Sequence, residues 1–139
     1  MSARFAFTGL NELIAELRAL PADLRDEAGI IVQSHAYTAA QAIRNAYGQH
    51  RYSGDLADHV VVARASTGPF GVGMVVRSTA RHSWLFENGS QVRYYLGASR
   101  GSMPAAPTFI PIMMRFRRSM YLGLADLVRR HGLVVSGDA

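Results

Sequence analysis

Asp55, Asp58 and Glu87 are the carboxylates placed where a pocket could use them, and His35, His50, His59, His82 and His131 supply the imidazoles. Two carboxylates across a cleft can divide general-acid and general-base work, as in glycoside hydrolysis. Asp55 and Asp58 have a plainer use in turn formation and capping, since they follow Ser53-Gly54 in a polar loop. Glu87 stands apart. It is the only acid between Asp58 and Asp126, and it lies in Arg81-His82-Ser83-Trp84-Leu85-Phe86-Glu87-Asn88-Gly89-Ser90 with the only tryptophan. Glu87 or Asp55 with His82 is the acid–base combination open to a small hydrolase. No serine sits in a Gly-x-Ser-x-Gly elbow. The histidines lack the His-x-x-x-His spacing that puts two metal ligands on one helix face. Gly71-Val72-Gly73 falls inside a strand pattern with no helix after it, so it is not a phosphate loop. Asn88-Gly89-Ser90 fits the glycosylation pattern, but its structural meaning is a tight turn. The chain has no cysteine, which excludes disulfides, thiolate zinc sites, iron–sulfur clusters and cysteine nucleophiles. No metal and no cofactor are expected from these spacings, and no catalytic residue is singled out by them, while a triad assembled from distant residues stays open.

The 139 residues suffice for one domain, and 49% hydrophobic with 18% charged residues is the balance of a globular chain. No apolar run approaches the roughly 20 residues of a membrane span. The first residues, Met-Ser-Ala-Arg-Phe, lack the apolar core of a signal peptide, so the expected site of action is inside the producing cell, or outside it by a non-secretory route. All fifteen basic residues counted toward the net charge of +5 are arginines. Arginine suits carboxylate and phosphate partners. Scattered arginine in an Ala- and Gly-rich chain is also what a GC-rich genome would encode.

The elements that must position Glu87 follow from periodicity. Residues 1–8 read as a strand or arm. Leu10, Leu13, Leu17 and Leu20 predict a short helix over about residues 10–20. Pro21 closes it and opens a long second helix, whose face is read as Leu24, Ala28, Ile31, His35, Ala39, Ala42 and Ala46. Gly48 ends it, and His35 is expected as a satisfied core histidine. Val60, Val61 and Val62 predict a buried strand, with a turn at 66–69 and a return strand to Ser78. A turn or two of helix over 80–87, a third strand from Val92 to Leu96 and a mobile loop over 97–102 come next. Pro104, Pro107 and Pro111 stiffen the approach to a last helix whose apolar face is Met113, Phe116, Met120, Leu124 and Leu127. Gly132 stops it, and 133–139 is a tail. The sum is a single α+β domain over 1–139. In it a small antiparallel sheet packs against a long helix from the N-terminal half and a C-terminal helix.

This order of motifs resembles the neck and tail-completion proteins of long-tailed bacteriophages. Ser53-Gly54-Asp55-Leu56 is similar to the family's Thr-Gly-x-Leu turn before the first long strand. Trp84-Leu85-Phe86-Glu87-Asn88-Gly89-Ser90 resembles its Tyr-x-x-x-x-Glu-Phe-Gly-Thr element. Met103-Pro104-Ala105-Ala106-Pro107-Thr108-Phe109-Ile110-Pro111 resembles the Pro-Ala-x-Pro-Phe-x-Pro segment before the final helix. The likeness spans about residues 8–131, and the chain departs in having Asn88 where the family has an aromatic and Thr108 before Phe109. The resemblance implies a non-enzymatic virion protein, assembled in the host cytoplasm and located in the neck or tail. Its partners would be its own copies in a ring, expected to be six-fold, other neck and tail proteins, and DNA in the lumen, with no membrane. Tail-terminator and head-closure rings are alternatives, as is a free basic nucleic-acid-binding protein. On this reading Gly54, Leu56, Trp84, Phe86, Glu87, Gly89, Pro104, Pro107, Phe109 and Pro111 are structural-turn or subunit-contact residues. Trp84 and Phe86 become packing anchors. Glu87 would pair with an arginine or cap backbone N–H groups. Arg93, Arg100, Arg115, Arg117 and Arg118 are the candidate partner or DNA contacts, and the termini and 97–102 would order only against partners.

Overall fold

The computed structural model describes residues 22–50, 54–65, 71 and 73–133. The expected arm, the helix over 10–20, the 66–69 turn and the tail beyond Leu133 lie outside the described residues. The elements run α1 (Ala22–Gly48), α2 (Asp55–Asp58), β1 (Val60–Arg64), β2 (Met74–Ser78), α3 (Ser83–Asn88), β3 (Tyr94–Tyr95), β4 (Ala98–Ser99) and α4 (Phe109–Arg130). This is the expected α+β arrangement: two long helices and a small antiparallel sheet.

The 27-residue α1 carries Asp23 in its first turn, where the helix dipole favours an acid. Its buried residues are Leu24, Val32, Ala36, Ala39, Ala40, Ile43 and Tyr47. Leu24 and Ala39 are buried as expected, while the rest of the expected face is half-buried and its place is taken by neighbouring residues. One residue is about 100° of helix, and the shift from Ile31, Ala42 and Ala46 to Val32, Ile43 and Tyr47 is one residue. Tyr47, Ile43 and Val60 are essentially sealed from solvent and, with Ala40, form the core. Leu56, Val62, Val76, Phe86, Phe109, Ile112 and Met113 close around them. His35 sits half-buried on the side of α1 that meets α4. Its Nδ1 lies 2.8 Å from the Ile31 carbonyl and its Nε2 lies 3.3 Å from Ser119 Oγ. A carbonyl only accepts, so Nδ1 carries the proton, and both ring nitrogens are satisfied as expected.

β1 and β2 pair antiparallel with Val62 opposite Val76. Side chains alternate across a strand, so Val62 and Val76 face the core while Val61 and Val75 face outward. The run expected to be buried is sealed at Val60, while Val61 is exposed and Val62 half-buried. Arg44 Nη2 donates to the Val60 carbonyl at 2.7 Å and ties α1 to the sheet.

The expected third strand does not join this sheet. Leu96 and Gly97 both have positive φ, at 50° and 79°, and reverse the chain in a two-residue turn. Tyr94 pairs with Ser99 and Tyr95 with Ala98, making a separate ribbon in place of the loop read over 97–102. The ladder extends through Arg93 N–H to the Gly101 carbonyl at 3.0 Å and Arg100 N–H to the Arg93 carbonyl at 2.6 Å.

The face of α4 is the expected one, with Leu127 and Ala125 buried. Its end is a Schellman closure. Gly132 N–H donates to the Arg129 carbonyl and Leu133 N–H to the Val128 carbonyl, with Gly132 at φ 78°.

Candidate functional site

The sequence element around Glu87 folds into a clamp between α1, α3 and the start of α4. The six residues of α3 turn Phe86 toward the core, where its ring meets Tyr47 edge-on at 5.4 Å and His50 at 5.5 Å. Two residues along a helix is a rotation of about 200°, so Trp84 must face the other way. It is 68% exposed. Phe86 is a packing anchor, and Trp84 is not.

The Glu87 carboxylate receives three hydrogen bonds. Tyr47 Oη donates to Oε1 at 2.8 Å, Thr108 N–H to Oε2 at 2.8 Å and Phe109 N–H to Oε1 at 3.0 Å. Thr108 is the N-cap residue of α4, yet its hydroxyl makes no cap bond and donates instead to the Ala106 carbonyl at 2.9 Å. A helix start leaves four N–H groups without intrahelical acceptors. Here Glu87 takes those of Thr108 and Phe109 from outside the helix. Pro111 has no N–H to satisfy, so of the four only Ile110 remains. Pro111 is thus part of the first turn of α4 and not only of its approach. The negative charge also meets the positive end of a 22-residue helix dipole. Of the two roles expected for Glu87, the capping role is the one observed. Among the described residues no arginine pairs with it.

Gly89 closes the other side. Its N–H bonds the Leu85 carbonyl at 2.8 Å and ends α3. Ser90 N–H then donates to the Met103 carbonyl at 2.8 Å, and Met103 N–H to Ser90 Oγ at 3.0 Å. Ala106 N–H donates to the Phe86 carbonyl at 3.0 Å. The proline track is therefore zipped to α3 by backbone bonds, with Pro104 and Pro107 themselves exposed. Gly54, at φ 84°, is buried at the start of α2, and Leu56 packs against the core. Phe109 is half-buried against the same core.

Sequence reasoning missed Tyr47. It stands four residues after Ile43, just before the terminal Gly48, and that spacing of large residues was a usable signal. Burial first, then the hydrogen bond to Glu87 and then its charge, push the Tyr47 phenol far above its ordinary range. A phenol whose folded pKa is raised gives stability that is complete below the unfolded value of about 10 and is lost as pH rises beyond it. The expected result is a steep alkaline loss of stability that flattens in Tyr47→Phe, read from urea midpoints between neutral and alkaline pH.

The remaining candidates do not converge. Arg93 and Arg100 lie on the β3–β4 ribbon, where the Arg100 guanidinium sits 5.6 Å from the centre of the Tyr95 ring. Arg115, Arg117 and Arg118 are exposed along α4. Asp55 and His59 approach to 3.1 Å on the surface of α2. Among the described residues no group of three or more metal-ligating side chains gathers, and no helix is long and apolar enough to cross a membrane. Beside the clamp runs an open groove of about 460 Å³, lined by Tyr47, Val76, Trp84, Glu87, Phe109 and Ile110 among others. No family model matches the chain, and no curated protein or solved structure matches it.

Proposed function

We propose that this chain is a structural ring subunit at the head–tail junction of a tailed bacteriophage, acting in tail completion or head–tail joining without catalysis. The observation that carries the reading is the use made of Glu87. All three of its hydrogen bonds hold secondary-structure elements together. Two of the motif pieces behind the resemblance meet in one frame: Phe86-Glu87-Asn88-Gly89-Ser90 is bound to the 103–109 segment by side-chain and backbone hydrogen bonds. A chain selected for assembly needs a rigid frame, because ordering entropy then weighs less on association. Tail-terminator and head-closure rings are the near alternatives within the same class.

The expected result is that the protein is found at fixed copy number in purified particles by mass spectrometry. Deleting its gene should leave heads and tails unjoined or tails unfinished under the electron microscope. Absence from particles together with normal assembly after deletion would remove the reading. A second reading, free nucleic-acid binding, has one observation in its favour: residues 88–125 hold Arg93, Arg100, Arg115, Arg117 and Arg118 and no acid. Tight, steeply salt-dependent binding to duplex or single-stranded DNA would favour it instead.

A further inference from the structure

We infer that the β3–β4 arm of one copy seats in the Trp84–Ile110 groove of a second copy. This deepens the ring reading given above and rests on it for the biological setting, but not for its evidence.

The arm is built for cover that its own chain does not provide. Tyr94 is 70% exposed, Tyr95 62% and Leu96 89%, with Val92 at 49%. Their cross-strand neighbours, Ser99 and Ala98, are too small to shield the tyrosines. The strands of the arm pair with each other and with neither strand of the main sheet. An isolated two-stranded hairpin is marginal in water, so apolar contact at its tip matters to it. The tip is also the wrong residue for a free turn. Leu96 holds φ 50°, a conformation that Gly, Asn and Asp adopt at less cost. An apolar side chain in that place is unfavourable twice in the free chain, through its backbone and through its exposure. Contact with an apolar partner reverses the second term.

The same chain carries an uncovered site of matching character. Trp84 and Ile110, 68% and 61% exposed, stand on the groove beside Phe109 and Val76. Its wall includes the Glu87 carboxylate, whose partners are the neutral donors of Tyr47, Thr108 and Phe109. Arg77 lines the groove but makes no ion pair with Glu87. The arm brings Arg93 and Arg100 at its base, in a stretch without acids. The apolar tip thus meets an apolar mouth, and the arginines at the base meet a wall that carries Glu87 beside Arg77. The Ser90–Met103 and Arg93–Gly101 hydrogen bonds join the two legs of the arm at its base. Arm and groove are different patches, which makes the contact head-to-tail. Such contacts form rings when the rotation closes. Duplex DNA would use the arginines and tyrosines but leave Leu96 and Val92 unexplained. A bilayer would take the tip but leave the groove uncovered.

The absence of cysteine gives a clean test. Chains bearing Leu96→Cys and Ile110→Cys are mixed under mild oxidation. The expected product is their mixed disulfide dimer, in roughly tenfold excess over the yield with Met114→Cys, an exposed α4 control, because a seated arm raises the effective thiol concentration. In the cysteine-free protein, emission of the sole tryptophan should move to shorter wavelength as concentration rises. Leu96→Gly, which suits the turn and keeps the fold, should abolish that shift. A mixed dimer no more abundant than the control overturns the inference. So does a Leu96→Gly chain that associates like the parent, or an arm that duplex DNA or anionic vesicles protect from proteolysis while a second copy does not. Particles that contain the protein without the cross-link overturn the contact alone. A cross-link with no protein in particles supports the contact and removes the head–tail reading.

Discussion

Glu87→Ala lowers the stability of the chain by about 3 kcal/mol, from the loss of a helix cap and of a buried hydroxyl's acceptor together. The substitution leaves the N–H groups of Thr108 and Phe109 and the hydroxyl of the sealed Tyr47 without their acceptor. For a chain of this size the corresponding drop in melting temperature is about 10 °C. Glu87→Gln should fall between the parent and Ala. Its carbonyl oxygen can still accept, but its amide presents N–H to a backbone N–H and removes the charge at the helix start. Tyr47→Phe alone should cost about 1 kcal/mol, the net worth of one hydrogen bond. The double variant Tyr47→Phe/Glu87→Ala should cost less than the sum, because removing Tyr47 Oη removes the orphan that Glu87→Ala creates. Thermal melts followed by circular dichroism measure all four. Additive losses would mean that Tyr47 and Glu87 do not share an interaction. An Ala variant as stable as the parent would show that the cap is dispensable. No enzymatic turnover is expected to disappear with Glu87, which separates a framing carboxylate from a general base.

How far this clamp could be read from sequence depends on what each partner contributes. Met113, Phe116, Met120, Leu124 and Leu127 alternate with arginines on α4, so large apolar and charged residues mark its two faces. The long helix offers no such contrast. Alanines stand at 28, 36, 39, 40, 42 and 46, on several faces, and only Leu24, Val32, Ile43 and Tyr47 carry the volume that fixes the buried one. The hairpin is legible because its β-branched residues run between turn signals. The ribbon at Tyr94 is not, since Leu96 takes a turn conformation that its residue type does not announce. Capping by Glu87 could be foreseen from its isolation among apolar neighbours. Its acceptor contacts could not, because two donors are backbone N–H groups 21 and 22 residues downstream and the third is a tyrosine 40 residues upstream. Backbone donors leave no trace in residue type. Proline at 111 is the one indirect sign, since it marks a position whose N–H no acceptor needs.

Gly89→Ala is expected to be the more damaging substitution, at about 4 kcal/mol, because it combines backbone strain with overpacking. Gly89 holds φ 76° and ψ 179°, a region that residues with a side chain avoid. A Cβ there would lie 2.8 Å from both the Ala105 nitrogen and the Met103 carbonyl oxygen. Both are backbone atoms, and Met103 is held by its reciprocal bonds with Ser90, so neither can rotate away. Relief requires the proline track to lift from α3, which also pulls Thr108 and Phe109 from Glu87. The two terms can be separated. Gly101 has a similar φ of 74° but nothing within 4 Å of its would-be Cβ. Gly101→Ala should therefore show only the conformational cost, about 1 kcal/mol. The difference between the two variants, read from chemical denaturation at constant slope, sets the upper limit of the contact term, and equal losses would place Gly89 outside the clamp. Partial rescue of Gly89→Ala is not expected from Glu87→Gln, since the two act on the same segment from opposite ends. Their losses should instead overlap, because a track already lifted at Met103 no longer presents its N–H groups to the carboxylate.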